Sequence, residues 1–234
     1  NLIKGFVDAT YSRGSGTEIR TGRNGDGVSG LHTYERAKRT RVDYELIESL
    51  IDTGSRVLDV GCGDGELLAR LIKDKQIDPE GVEIDQKLII DCINRGINVI
   101  HRDIERKLDV YSDNSFDYVI LSQTLQTLMD PENVFKGLLR VGRKVIVSFP
   151  NFAYWRCRLD LFLGGRSPVT KQLPFSWYDS PNKHFFSLKD FECFCKDLNV
   201  RIEKKIPIVK TSLSPVKIIP NFFAEQAIYL TSSS

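Results

Sequence analysis

Val57-Leu58-Asp59-Val60-Gly61-Cys62-Gly63-Asp64-Gly65-Glu66-Leu67-Leu68 carries the reading from which the fold follows. Arg56 to Val60 is a short, nearly continuous apolar run of the kind buried on both faces of a sheet, and it passes directly into a glycine-rich turn and a helix over Glu66 to Lys73. In a parallel sheet such a turn lies at the carboxyl end of its strand, where ligands bind. Glycines there let the main chain take positive φ and let a ligand lie against it.

Working outward, the same alternation repeats. Gly81 to Ile84, Ile97 to His101, Phe116 to Leu121 and Lys144 to Phe149 read as strands. Helices are expected over Gln86 to Asn94 and over Pro131 to Arg140, the latter with proline in its first turn. Strands separated by helices require right-handed crossovers, which predicts an α/β, doubly wound Rossmann-like sheet, mostly parallel, with helices on both faces. A helix from Ser187 to Leu198 follows, with Ser187 as N-cap and Asp190 in the capping-box position. Val200 to Val209 and Gln226 to Thr231 are expected to form an antiparallel pair, since no helix of crossover length fits between them.

Upstream, apolar residues recur at helical spacing from Thr33 to Asp52, with Gly54 as the stop signal. The first thirty residues hold seven glycines and cannot build a core. Residues 1–32 are therefore expected to be a flexible Gly-rich arm, and 33–234 one domain with an aromatic-rich insertion at about 151–186 over the carboxyl edge of the sheet.

With 234 residues, 41% hydrophobic and 27% charged, the chain has globular composition. Its formal net charge of +2 supplies no broad attraction to nucleic acid or to an anionic membrane, so neither is expected as a partner. The Arg36 to Arg41 cluster is the one feature favouring a nucleic-acid methyltransferase. Five cysteines without a C-x-x-C pair, and no secretion signal, predict reduced thiols and a cytoplasmic setting. No apolar run approaches the roughly 20 residues of a membrane span. Cys193 and Cys195 lie two apart on a helix and do not share a face, so no metal site is expected.

The chemistry of the turn narrows its ligand. A dinucleotide fingerprint needs glycine or alanine where this chain has Glu66, and a phosphate-binding loop needs a Gly-Lys-Ser/Thr ending that is absent. Asp59, Asp64 and Glu66 surround the turn with negative charge, which suits a nucleoside carrying a cationic amino group and sulfonium. Glu83, at the end of the second strand, can accept both ribose hydroxyl protons, with Asp85 as an alternative. Asp103, after the third strand, can accept from an adenine amino group while the Ile104 amide donates to a ring nitrogen.

This constellation resembles the class I S-adenosylmethionine-dependent methyltransferases. More narrowly, the glycine motif, Asp113 to Gln126, Ser148 to Phe152, Trp155 to Leu159, Trp177 to His184 and Pro220 to Glu225 are similar to the methionine biosynthesis protein MetW family. The resemblance runs from about Val42 to Leu230. It implies a seven-stranded sheet with the last strand antiparallel. It also implies S-adenosylmethionine as cofactor, leaving as S-adenosylhomocysteine, held by Asp59, Gly61, Gly63, Glu83 and Asp103, with Leu121, Ser122 and Gln123 beside the methionine portion. It implies a role in methionine formation with a homoserine O-acyltransferase as partner, either as a methyltransferase on a small-molecule substrate or as a non-catalytic sensor of the cofactor. His184, beside Tyr178 and Asp179, is the candidate general base. Asn151, Trp155 and Tyr178 are the candidate substrate contacts. Tyr154, Trp155, Phe175, Trp177 and Tyr178 would either wall a pocket or pack a lid onto its own domain, and both readings stay open.

Overall fold

The computed structural model describes residues 43–233 apart from 107, 171 and 210–214. The expected arm, the Arg36 to Arg41 cluster and the first part of the helix expected from Thr33 lie outside the described residues. From there the chain runs α1 (Asp43–Glu48), β1 (Arg56–Val60), α2 (Glu66–Lys75), β2 (Asp78–Glu83), α3 (Gln86–Asn94), β3 (Val99–His101) and β4 (Phe116–Ser122). A short 3-10 turn over Leu125–Thr127 leads to α4 (Pro131–Val141), β5 (Gly142–Pro150), α5 (Trp155–Gly164), α6 (Leu188–Asp197), β6 (Val200–Ile208), α7 (Pro220–Phe223) and β7 (Gln226–Ser233).

The seven strands form one sheet in the order β3-β2-β1-β4-β5-β7-β6. β1 to β5 are parallel, and β7 runs antiparallel to both β5 and β6. The doubly wound sheet with a reversed last strand is therefore as expected. Strand alternation sends Leu58, Val119, Leu121, Val145, Val147 and Phe149 to one face, where α4 and α6 cover them with Phe135, Leu138 and Phe191. The other face carries Val57, Tyr118, Ile120, Ile146 and Ile228 beneath Ile47 of α1 and Leu67, Leu68 and Leu71 of α2.

The boundaries differ where main-chain pairing, rather than apolar pattern, sets them. β2 starts at Asp78 because Arg56 and Val57 of β1 register with Asp78 and Pro79. β3 starts only at Val99, since the Ile97 amide donates to Cys92 O at 3.0 Å and closes the end of α3. α1 stops at Glu48 rather than near Asp52: the Leu50 and Ile51 amides turn to Ile47 O and Glu48 O, three residues back. Among the described residues no helix is long and apolar enough to cross a membrane.

Candidate functional site

β1 and β4 are neighbours in the sheet, yet the helix after β1 covers one face and the helix after β4 the other. Connections that diverge in this way are where a crevice forms at the carboxyl ends of parallel strands. The glycine turn stands at that end. Gly61, Gly63 and Gly65 have φ of +76°, +60° and +78°, which side-chain-bearing residues rarely adopt.

Their surroundings differ. A Cβ on Gly61 would stand 3.0 Å from Thr124 Oγ1, and one on Gly65 would stand 2.6 Å from Ile97 Cδ1 and 3.0 Å from Cys92 Sγ. One on Gly63 would meet nothing within 4 Å. Gly61 and Gly65 are thus required by close packing as well as by conformation, whereas Gly63 leaves bare main chain open to a ligand.

Glu83 ends β2 and is only 8% exposed. Its Oε2 accepts from the Gly63 amide at 2.8 Å, and Oε1 accepts from the amides of Ile84 (2.8 Å) and Asp85 (3.0 Å). The Gly63 carbonyl accepts the Cys92 thiol at 3.2 Å. The turn is therefore held through both main-chain groups of its open glycine. Burial pushes the Cys62 thiol up, with the Asp59 charge adding to the effect, and burial also raises Cys92, so both are protonated at neutral pH.

Two acids also have structural work. Asp85, the alternative ribose acceptor, is exposed and caps α3, its Oδ1 accepting from the Lys87 amide at 2.8 Å. Asp64 pairs with Arg95 at 3.1 Å and accepts from the Glu66 amide at 3.2 Å, so the turn is less negative than three bare carboxylates would make it. Asp59 is buried in β1 at 3% exposure.

Past β3, Asp103 is half-buried and its Oδ1 accepts from the Glu105 amide at 3.0 Å. Ile104 packs against the core under α4. Past β4, Gln123 takes φ +56° and its amide donates to Ser148 O at 2.9 Å. The Ser122 and Ser148 hydroxyls share a hydrogen bond of 2.9 Å. The structure thus gathers Asp59, Gly61, Gly63 and Glu83 at the ends of β1 and β2, flanked by Asp103, Ile104, Ser122 and Gln123. Leu121, next to last in β4, has its side chain fully buried in the core.

The insertion leaves and rejoins the domain at one place, where the Phe152 amide donates to Phe186 O at 3.2 Å and the Phe152 and Phe185 rings lie 4.8 Å apart. The amides of Lys183 and His184 donate to Gln126 O at 2.9 and 3.0 Å, which sets His184 beside the turn after β4 with its side chain exposed. The Asn151 amide group donates to Asn221 O (3.1 Å) and Ala224 O (2.8 Å), and its Oδ1 accepts from the Ala153 amide at 3.1 Å. Both its protons are taken, so Asn151 clasps α7 to the start of the insertion. Phe175 and Trp177 line a shallow hollow with Leu173 and Phe185, outside which lie Tyr154, Trp155 and Tyr178. Tyr178 packs edge-on against Trp177 and is 76% exposed.

Thr124, Cys92 and Arg95 support the turn and were not singled out from sequence. Cys92 is the buried residue of α3, so helical spacing alone could have placed it under the turn. Arg95 follows that helix in a stretch with no pattern to mark it.

Residues 41–231 match the family model described as methionine biosynthesis protein MetW. A bifunctional methionine biosynthesis protein MetXA/MetW from Rhodopirellula baltica is 39% identical over 175 residues, which cover 70% of this chain and 28% of that relative. Among solved structures, an S-adenosylmethionine-dependent methyltransferase from Archaeoglobus fulgidus matches with a TM-score of 0.61 at 17% identity, covering 88% of this chain and 99% of that one. A TehB-like S-adenosylmethionine-dependent methyltransferase from Corynebacterium glutamicum matches with a TM-score of 0.58 at 16% identity, covering 88% and 95%. These two likenesses establish the fold.

Proposed function

Because this chain belongs to the methionine biosynthesis protein MetW family, we propose that it binds S-adenosylmethionine in the crevice between β1 and β4 and works in methionine formation beside a homoserine O-acyltransferase. The observation that carries the reading is the open Gly63 main chain with the Glu83 carboxylate fastened to it at 2.8 Å. That donor set fits an adenosyl cation. A carboxylate at the end of β2 accepts from ribose hydroxyls, and bare glycine admits the ligand against the backbone.

When bound, the cofactor supplies a methyl group already activated on a sulfonium. The work of the chain's own residues is to hold and orient. Glu83 holds the ribose, Asp103 and the Ile104 amide read the adenine edge, and Gln123 with the loop after β4 borders the methionine portion. The insertion, tied through Lys183 and His184 to Gln126, lies where it can exclude water and align a small acceptor, which is where most of the rate enhancement for such a transfer arises. His184, exposed beside that loop, is the group available to take a proton from the acceptor.

A second reading is favoured by the bifunctional relative, in which the MetW portion shares a chain with MetXA. In it, cofactor binding reports methyl-donor level to the acyltransferase and no methyl is transferred. Calorimetric titration with S-adenosylmethionine, S-adenosylhomocysteine and NAD tests the shared premise: the two adenosyl compounds should bind and NAD should not. Glu83→Ala should weaken binding by about 2–3 kcal/mol, the scale for losing charge-assisted hydrogen bonds. An unchanged dissociation constant would remove Glu83 from the site. Formation of S-adenosylhomocysteine with an added acceptor favours the transferase, and a change in acyltransferase rate on mixing favours the sensor.

A further inference from the structure

Helix α5 leaves most of its apolar side chains exposed. A helix on a globular domain normally turns its apolar stripe to the core. Here Cys157 is the buried residue of α5, while Trp155, Leu159 and Phe162, spaced i, i+4 and i+7, fall on the opposite side with Leu163. Phe162 is 86% and Leu163 73% exposed.

The surface continues onto α7. The Arg158 guanidinium of α5 lies 5.6 Å from the centre of the Phe222 ring of α7, and Asn151, ahead of α5, binds the carbonyls of Asn221 and Ala224. Ile219, at the start of α7, has φ +43°, an outlying conformation for a β-branched residue, and its side chain is 63% exposed. An apolar patch of this extent marks an interaction surface.

Charge around the patch discriminates among occupants. Arg156, Arg158 and Arg166 are exposed around it, against the exposed Asp160 of the same helix and the half-buried Glu225, whose charge reaches Cys157. A second copy docked across a two-fold axis would set these arginines against their own counterparts. An acid-rimmed partner of different sequence has no such conflict. In the bifunctional relative the two portions lie on one chain, where linkage raises their effective concentration to the millimolar range.

We propose that the outward face of α5, continued by Ile219 and Phe222, is the surface on which the homoserine O-acyltransferase docks. This rests on the partner reading above. It commits the acyltransferase to an apolar groove bordered by carboxylates, and it places the contact on the insertion that rejoins the loop after β4, beside the cofactor crevice.

The test is calorimetric titration of the full chain with the purified acyltransferase of the same organism, with and without S-adenosylmethionine. Phe162→Glu should weaken association about 30-fold or more, the scale of an interface hot spot. Ile93→Glu, at an exposed apolar residue of α3, should leave it unchanged. Both variants should keep the wild-type melting temperature and affinity for S-adenosylmethionine; should Phe162→Glu not fold, Leu163→Ser and Ile219→Ser replace it. Wild-type binding that Phe162→Glu leaves intact would overturn the surface while sparing the partner reading. No binding by the wild type would overturn both. A wild-type dimer that Phe162→Glu dissociates would assign the surface to a second copy, and Phe162-dependent binding to phosphatidylglycerol vesicles would assign it to a membrane; either outcome, with acyltransferase binding unaffected, overturns the proposal.

Discussion

Gly63 is fixed by two side chains from different elements, Glu83 at its amide and Cys92 at its carbonyl. Cys62 adds a second sulfur 3.8 Å from that of Cys92, and both thiols are buried. Since the thiolate is the reacting species, these two should be inert in the folded protein. Cys157, whose pKa burial pushes up to about 11, and Cys195, pushed up to about 12, should behave alike. Cys193 is the exposed thiol. Titration with an aromatic disulfide reagent at neutral pH should therefore release one equivalent quickly and the other four only on denaturation; fast release from a second cysteine would contradict the packing under the glycine turn. The glycines and Glu83 were legible in the sequence because their chemistry belongs to the main chain and to a strand end, which local pattern fixes. The resemblance located the segment around Leu121, and strand parity adds that the Leu121 side chain faces the core. The Asp64–Arg95 pair was invisible because it joins residues that only the fold makes neighbours.

At the level of elements, caps set helix ends as firmly as apolar spacing does. Ser187 Oγ accepts from the Asp190 amide at 3.3 Å, and Asp190 Oδ2 accepts from the Ser187 amide at 2.8 Å, a complete capping box at the start of α6. Ser187→Ala should cost about 1 kcal/mol, read as a fall in melting temperature of roughly 2–4 °C for a chain of this size. No change would show that solvent satisfies the Asp190 amide equally well. β1 and α3 have the bounds expected from sequence, since in each the apolar pattern and the pairing or capping agree. The 3-10 turn at Leu125–Thr127 and the four-residue α7 are too short to show a period, and both are held by tertiary hydrogen bonds from Asn151, Lys183 and His184. The first half of β2 carries Asp78, Pro79 and Glu80, poor strand formers that lengthen the strand expected from Gly81 only because β1 lies alongside.

For the whole molecule, the sheet divides the core in two, and Phe149, Tyr229 and Phe191 form an aromatic stack on the α6 side. β7, the last strand in the sequence, lies inside the sheet between β5 and β6. Its Ile228 to Thr231 segment registers with Val145 to Ser148 on one side and with Ile202 to Ile206 on the other. A nascent chain therefore exposes the edge of β5, with its run Val145-Ile146-Val147, until the closing strand has been synthesised. A polypeptide halted before Gln226 would keep two raw sheet edges open to pairing with its neighbours. Such a truncate should sediment as aggregate on expression, whereas one lacking only Ser233 and Ser234 should stay in the supernatant. Sealing of the sheet thus waits on translation of β7, since no strand made before it can occupy the slot between β5 and β6.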